Sequence, residues 1–232
     1  MDDREQKSSR NQKVRLKTAR GRTTSSQRWL QRQLNDPYVQ NAKKLGYRSR
    51  AAFKLLELDE KFHFFKPEMC VIDLGAAPGG WTQVAAQKVD LALPHSQIIG
   101  IDILPMDVLP GTTLLRGDFT EEETLESVIK TLKGPVDLVL SDMAPSATGH
   151  KHTDHLRIVY LVELAFAFAE KVLAEEGCFV AKVLQGGTEA ALLGQLKQLF
   201  KTVKHVKPQA SRKESSELYV VAQGFKKPST LP

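Results

Sequence analysis

The run V-I-D-L-G-A-A-P-G-G-W, from Val71 to Trp81, holds residues whose types and spacing suit the binding of a nucleotide-like cofactor. A short apolar stretch with one carboxylate reads as a buried strand, and the tight Gly and Ala turn after it opens a helix near Trp81. Gly75, Gly79 and Gly80 have no side chains, so the backbone can close on a ligand there. In G-x-G-x-x-G register, Ala77 replaces the central Gly and Pro78 stiffens the loop. With no pyrophosphate to accommodate, that Gly is less needed, and the loop fits S-adenosylmethionine better than NAD. Three acids then fall at the ends of successive expected strands: Asp102, Asp118 and Asp142. Asp102 lies about 20 residues beyond the loop, where a ribose-binding carboxylate belongs. Asp118, in G-D-F, suits an adenine amino group, with Phe119 near the ring. One such acid could merely cap a helix or turn, but three in this order point to a cofactor site. Asp142, in S-D-M-A-P, stands where a methyl donor and its acceptor would meet.

Two lysines and a glutamate are the remaining candidates. Lys182 lies inside the apolar run G-C-F-V-A-K-V-L, where an ammonium is costly to bury without a partner. Lys54 follows R-S-R-A-A-F on an expected helix, and taken alone it reads as an ordinary exposed residue. Glu217, just past S-R-K-E-S-S, says nothing alone. The cluster His150, His152 and His155 has no Cys or carboxylate frame, so it reads as facing solvent or RNA; no metal site is expected.

Alternating strand and helix patterns position these groups. Strands are expected at Cys70–Leu74, Gln97–Ile103, Thr112–Arg116, Val136–Ser141, Cys178–Leu184, Val203–Lys207 and Leu218–Gly224. Helices are expected at Trp81–Lys88, Glu121–Leu132, Asp154–Ala174 and Glu189–Phe200. Before them, Ser25 to Lys61 reads as mainly helical, with Asp36-Pro37 as a start signal and a helix from Ser49 to Lys61. Such alternation implies an α/β doubly wound sheet. The last two strands, joined only by a loop, suggest a terminal hairpin with one antiparallel strand. The expected fold is the Rossmann-like methyltransferase form, a mostly parallel seven-stranded sheet.

Charge and composition narrow the class. Residues 1–28 hold nine of the 33 Lys and Arg and three of the 27 Asp and Glu, so the whole +6 excess lies there. Residues 1–27 are therefore expected as a disordered basic arm drawn to nucleic-acid phosphates, and 28–232 as a single domain with a helical lead-in at 28–62. Asp2, Asp3 and Glu5, and the lack of an apolar helical face, argue against a transit peptide. The richest apolar stretch, Leu156 to Leu173, is broken by Arg157, Glu163, Glu170 and Lys171, so no membrane span is expected. Cys70 and Cys178 fall in expected buried strands and read as reduced core thiols. Arg28, Arg32, Lys43, Lys44, Arg48, Arg50, Arg212 and Lys213, interleaved with Trp29 and Tyr47, suit RNA backbone contact plus stacking, or simply solvated helix faces.

The ordered motifs S-Q-R-W-L, L-N-D-P-Y-V-Q, G-Y-R-S-R-A-A-F-K-L-L-E-L, L-G-A-A-P-G-G-W, D-I-L-P-M-D, G-D-F, S-D-M-A-P, V-Y-L-V-E-L-A and K-V-L-Q-G resemble the FtsJ (RrmJ) ribosomal RNA 2′-O-methyltransferases, from Ser25 to Phe225. The resemblance implies a catalytic tetrad on Lys54, Asp142, Lys182 and Glu217, and cofactor contacts at Gly79, Trp81, Asp102, Asp118 and Asp142. It implies S-adenosylmethionine-dependent 2′-O-methylation of a large-subunit (23S) ribosomal RNA uridine in the assembled subunit, by a cytoplasmic monomer. Lys182 acting as base would need burial or the charge of Lys54 to favour its neutral form. Asp142 favours the charged amine, which would instead polarise the 2′-oxygen. Transfer-RNA methylation and a non-catalytic RNA-binding assembly factor are the alternative readings.

Overall fold

The computed structural model describes residues 14–16, 21–145, 148–185 and 190–227. The lead-in forms three helices, α1 (Thr24–Leu34), α2 (Pro37–Leu45) and α3 (Ala51–Phe62). There follow β1 (Cys70–Leu74), α4 (Gly80–Lys88), β2 (Gln97–Asp102), β3 (Thr113–Arg116), α5 (Glu122–Thr131) and β4 (Val136–Ser141). The chain continues through α6 (Lys151–Val172), β5 (Leu173–Leu184), α7 (Ala190–Leu199), β6 (Phe200–Val206) and β7 (Glu217–Phe225).

The sheet runs β3-β2-β1-β4-β5-β7-β6. Among the described strands only β7 runs against its neighbours, antiparallel to both β5 and β6. β7 therefore lies inside the sheet and β6 at its edge. Side-chain alternation sends each strand's residues to two cores. Val71, Leu138, Leu140, Val180, Tyr219 and Val221 pack with Leu55 and Leu58 of α3 and with Trp81 and Val84 of α4. Ile72, Val139, Phe179 and Val220 pack with α5, α6 and α7 through Val128, Phe166 and Leu196. Each such apolar side chain contributes roughly 1.5–3 kcal/mol on burial. Lys54 of α3 therefore belongs to the face that carries Lys182 and Tyr219.

Local chemistry sets the helix starts. The Asp36 carboxylate accepts the Tyr38 N–H at 3.0 Å with Pro37 in the first turn, and Gly46 closes α2 in the left-handed region. The expected boundary at residues 27 and 28 falls inside α1. Most of residues 1–20 lie outside the described residues, but Val14 N–H donates to Asn35 Oδ1 at 2.8 Å and Leu16 N–H to Gln31 Oε1 at 3.0 Å. Several expected boundaries move, among them β5, which begins at Leu173 rather than Cys178, and β6, which begins at Phe200 rather than Val203. The helix expected to reach Ala174 stops at Val172, because Leu173 already pairs with Val136 across a register shift in β4. The helix expected through Phe200 stops at Leu199, and Phe200 pairs with Phe225. Cys70 and Cys178 are buried and free, and burial pushes both thiols up. Among the described residues no helix is long and apolar enough to cross a membrane, and no three His, Cys, Asp or Glu gather as a metal site.

Candidate active site

The antiparallel register of β5 and β7 sets Lys182 directly opposite Tyr219 and Leu184 opposite Glu217. Strand period places Glu217 and Tyr219 on one face, and α3 lays Lys54 over it. Lys54 Nζ donates to Glu217 Oε1 at 2.6 Å and to Tyr219 Oη at 2.9 Å. From the end of β4, Asp142 meets Lys182: its backbone oxygen lies 2.6 Å and its Oδ1 2.9 Å from Nζ. Tyr219 Oη lies 2.7 Å from Asp142 Oδ1 and 3.1 Å from Glu217 Oε1, so its single hydrogen is shared between two carboxylates. Lys54, Asp142 and Glu217 thus meet at one hydroxyl, and Lys182 joins them through Asp142. Burying either ammonium alone would cost several kcal/mol. Two carboxylates against two ammoniums cancel that charge, and the tyrosine hydroxyl links Lys54 to both carboxylates.

Burial opposes ionisation of Asp142. The charges of Lys182 and Lys54, with hydrogen bonds from Lys182 and Tyr219, outweigh it and hold the carboxyl below its ordinary range. Burial raises the Tyr219 phenol well above its usual value, and the negative charges of Asp142 and Glu217 add to this, so it stays a donor. Sequence reasoning missed Tyr219, which reads as one more aromatic in an apolar strand. Its signal was the two-residue spacing from Glu217 in S-E-L-Y.

The glycine loop lies beside this cluster. Gly75 has φ of +74°, and a Cβ there would meet Met143 Cγ, of S-D-M-A-P, at 2.6 Å. Gly79 has φ of +102°, and its missing Cβ leaves room for the Arg48 guanidinium at 2.7 Å. Trp81 is buried, donates from Nε1 to the Ala51 carbonyl at 2.8 Å, and packs 5.6 Å from the Tyr219 ring. The Asp102 carboxylate accepts the Ala77 N–H at 2.9 Å and the Leu104 N–H at 2.8 Å, tying the loop to the end of β2. Asp118 is exposed and accepts both the N–H and the hydroxyl of Thr120, which hold its carboxyl low. Phe119 differs from expectation: it is buried edge-on against Phe168 in the core rather than beside a ligand ring. The apolar side chains exposed nearby are Ile103, Leu104 and Val108.

A cavity of about 150 Å³ opens between the loop and the start of α3, lined by Ser49, Asp73, Gly75, Trp81 and Asp142 among others. Ser49 Oγ and Asp73 Oδ1 are buried there without hydrogen-bond partners. A buried polar atom left unpaired costs about 1–3 kcal/mol, so these two atoms suit a ligand with polar groups of its own. The zwitterionic end of S-adenosylmethionine fits that donor and acceptor set.

Residues 47–225 match the family described as FtsJ-like methyltransferase. The chain belongs to that family. It is 59% identical over 220 residues to the ribosomal RNA large subunit methyltransferase E of Paramagnetospirillum magneticum, covering 94% of this chain and 90% of that protein. Identity to the protein of the same name from Gluconobacter oxydans is 54% over 226 residues, 97% of this chain and 82% of that one. Among solved structures, a Plasmodium falciparum protein described as a ribosomal RNA methyltransferase aligns with a TM-score of 0.65 and 30% identity, covering 77% of this chain and 98% of that one. As a family member the protein is a methyltransferase, with S-adenosylmethionine as its methyl donor.

The basic residues read as RNA contacts divide into two groups. Arg48 donates to the carbonyls of Asp107 and Val108, each at 2.8 Å. Arg50 pairs with Asp36 at 3.2 Å, and Arg212 meets the same carboxylate at 3.5 Å. These three hold the fold together. Lys43, Lys44 and Arg28 are exposed, as is Trp29 at 49%.

Proposed function

We propose that this FtsJ-like methyltransferase transfers the methyl group of S-adenosylmethionine to a ribose 2′-oxygen of a large-subunit (23S) ribosomal RNA uridine, in the assembled subunit. The observation that carries the reading is the cluster of Lys54, Asp142, Lys182 and Glu217 around Tyr219, beside the glycine loop. Relatives named ribosomal RNA large subunit methyltransferase E support the RNA class. Gly79, Trp81, Asp102, Asp118 and Asp142 would hold the cofactor, and it supplies an electrophilic methyl group on a sulfonium.

The chain's own work is positioning and charge. An ammonium has three N–H donors. Lys182 spends two on the Asp142 carbonyl and carboxylate, leaving the third for the 2′-oxygen. Charged Lys182 orients and polarises that oxygen, and the hydroxyl proton passes late, as the new C–O bond completes, to solvent water. Lys54 anchors Glu217 and Tyr219, so the Glu217 carboxylate does not swing into the path of the incoming hydroxyl. Holding reacting atoms in line accounts for a large share of the barrier lowering in such displacements, up to about 7–11 kcal/mol. Exposed Arg28, Lys43, Lys44 and Trp29, with the basic residues before 28, receive RNA backbone and bases. All five side chains of the cluster come from one chain, which supports action as a monomer, and the substrate class supports a cytoplasmic location.

The test is transfer of labelled methyl to undermodified large subunits by wild type and Lys182→Ala, with nuclease digestion and mass spectrometry locating the methyl. A ribose-methylated uridine that is lost in the variant is expected. Transfer to transfer RNA instead would move the substrate to the other branch of the family. Cofactor binding without transfer to any RNA would overturn the enzymatic reading.

A further inference from the structure

The loop between β6 and β7 ends at Glu217, and α3 with its N-cap Arg50 grips it at a single residue. Both carboxylate oxygens of Glu57 accept the Ala210 N–H, at 3.1 and 3.0 Å. The Arg50 guanidinium donates to the carbonyl of the same residue. Ala210 is fully buried. Residues 50, 54 and 57 share one face of the helix, so Lys54, which meets Glu217 and Tyr219, lies between the two grips. The chain from Ala210 to Glu217 has little slack. Ser211 N–H returns to the Pro208 carbonyl and Ser215 N–H to that of Arg212, each at 3.0 Å. Lys207 Nζ binds the carbonyls of Lys213 and Ser215 from inside the loop, and Ser215 Oγ accepts the Glu217 N–H at 3.2 Å. A shift of Ala210 therefore passes to Glu217.

We propose that Glu57 is a positioning residue for methyl transfer: by fixing the Ala210 peptide on α3 it sets where Glu217 stands against Lys54. Glu57 itself touches none of the four clustered charged residues. The inference rests on the reading of that cluster as the transfer centre.

The test compares full-length wild type, Glu57→Ala and Glu57→Gln for kcat, KM for undermodified subunits, and calorimetric binding of S-adenosylhomocysteine. In Glu57→Ala kcat should fall about ten-fold, as small misplacements of reacting groups do. Cofactor affinity and the one-to-one binding stoichiometry should stay at wild-type values. Glu57→Gln keeps an oxygen for the Ala210 N–H and should retain most of the rate. Should Glu57→Ala not fold, Glu57→Asp, which keeps the charge but falls short of Ala210, takes its place with the same expectation. An unchanged kcat in the truncated variant overturns the proposal, as does equal damage from Gln and from Ala. Failure of the cluster reading is distinguishable, because Lys182→Ala would then leave transfer intact.

Discussion

Asp73→Asn should make stability between pH 5 and pH 8 less sensitive to pH. Asp73 lies in β1 beneath the glycine loop, fully buried, with Oδ2 accepting from Thr82 Oγ1 at 2.6 Å and Oδ1 unpaired. Burial pushes its carboxyl up from its ordinary value of 3.8 to about 7, the Thr82 hydrogen bond opposes this, and Asp142 adds a smaller rise. The folded state therefore keeps a proton that the unfolded chain has released above about pH 4. A group whose folded pKa is raised contributes stability that is complete below the unfolded value and lost as pH rises through the folded one. From pH 5 to pH 8, the two units up to pH 7 at about 1.4 kcal/mol each give a loss of about 3 kcal/mol from this residue. Asn keeps an acceptor for Thr82 and cannot ionise. Urea unfolding of wild type and variant without cofactor, at pH 5 and pH 8 with unchanged m, measures the difference. Every other titrating group is common to both proteins and cancels. The variant should gain about 3 kcal/mol on wild type between the two pH values. A difference that stays within about 0.5 kcal/mol, the spread of ordinary surface changes, would refute the assignment of a proton to buried Asp73.

Two further outcomes follow from the cluster and the loop. Tyr219→Phe removes the hydroxyl bound to Lys54, Asp142 and Glu217, and should cost about 2 kcal/mol of stability. Calorimetry should read this as a Tm lower by about 4–8 °C; an unchanged Tm would mean that the lysines and carboxylates pair fully without it. Gly79→Ala places a Cβ at φ of +102° and 2.7 Å from Arg48 Nη1, which should cost about 1–3 kcal/mol. Binding of S-adenosylhomocysteine should weaken by about five- to 150-fold if that cost falls on the bound state; wild-type affinity in the variant would show that the loop yields freely.

The sheet and its helices were legible because strand and helix periods differ and turn residues mark the ends. The glycine loop and the acids after β2, β3 and β4 were legible because ligands gather at the carboxyl ends of such strands. What sequence could not display was partnership across distance. Arg48, Arg50 and Arg212 look like any other basic residues beside an RNA site, and their partners are Asp36 and the carbonyls of Asp107, Val108 and Ala210. Tyr219 and Phe119 are both aromatics beside a motif acid, yet one meets the charged cluster and the other sinks into the core. Residue type does not decide which. The strand's register and the packing of Phe168 do.

The position of β7 has a consequence for when the protein can work. Lys54 and Glu217 are 163 residues apart in the chain, and β7 must slot between β5 and β6 before either the sheet's edge or the charged cluster exists. A growing polypeptide can lay down β1 to β5 in order as it emerges, since domains fold during synthesis. It cannot assemble the site until β7 is free to insert. A half-made chain, still threaded through a large ribosomal subunit, is thereby kept silent towards the RNA that surrounds it.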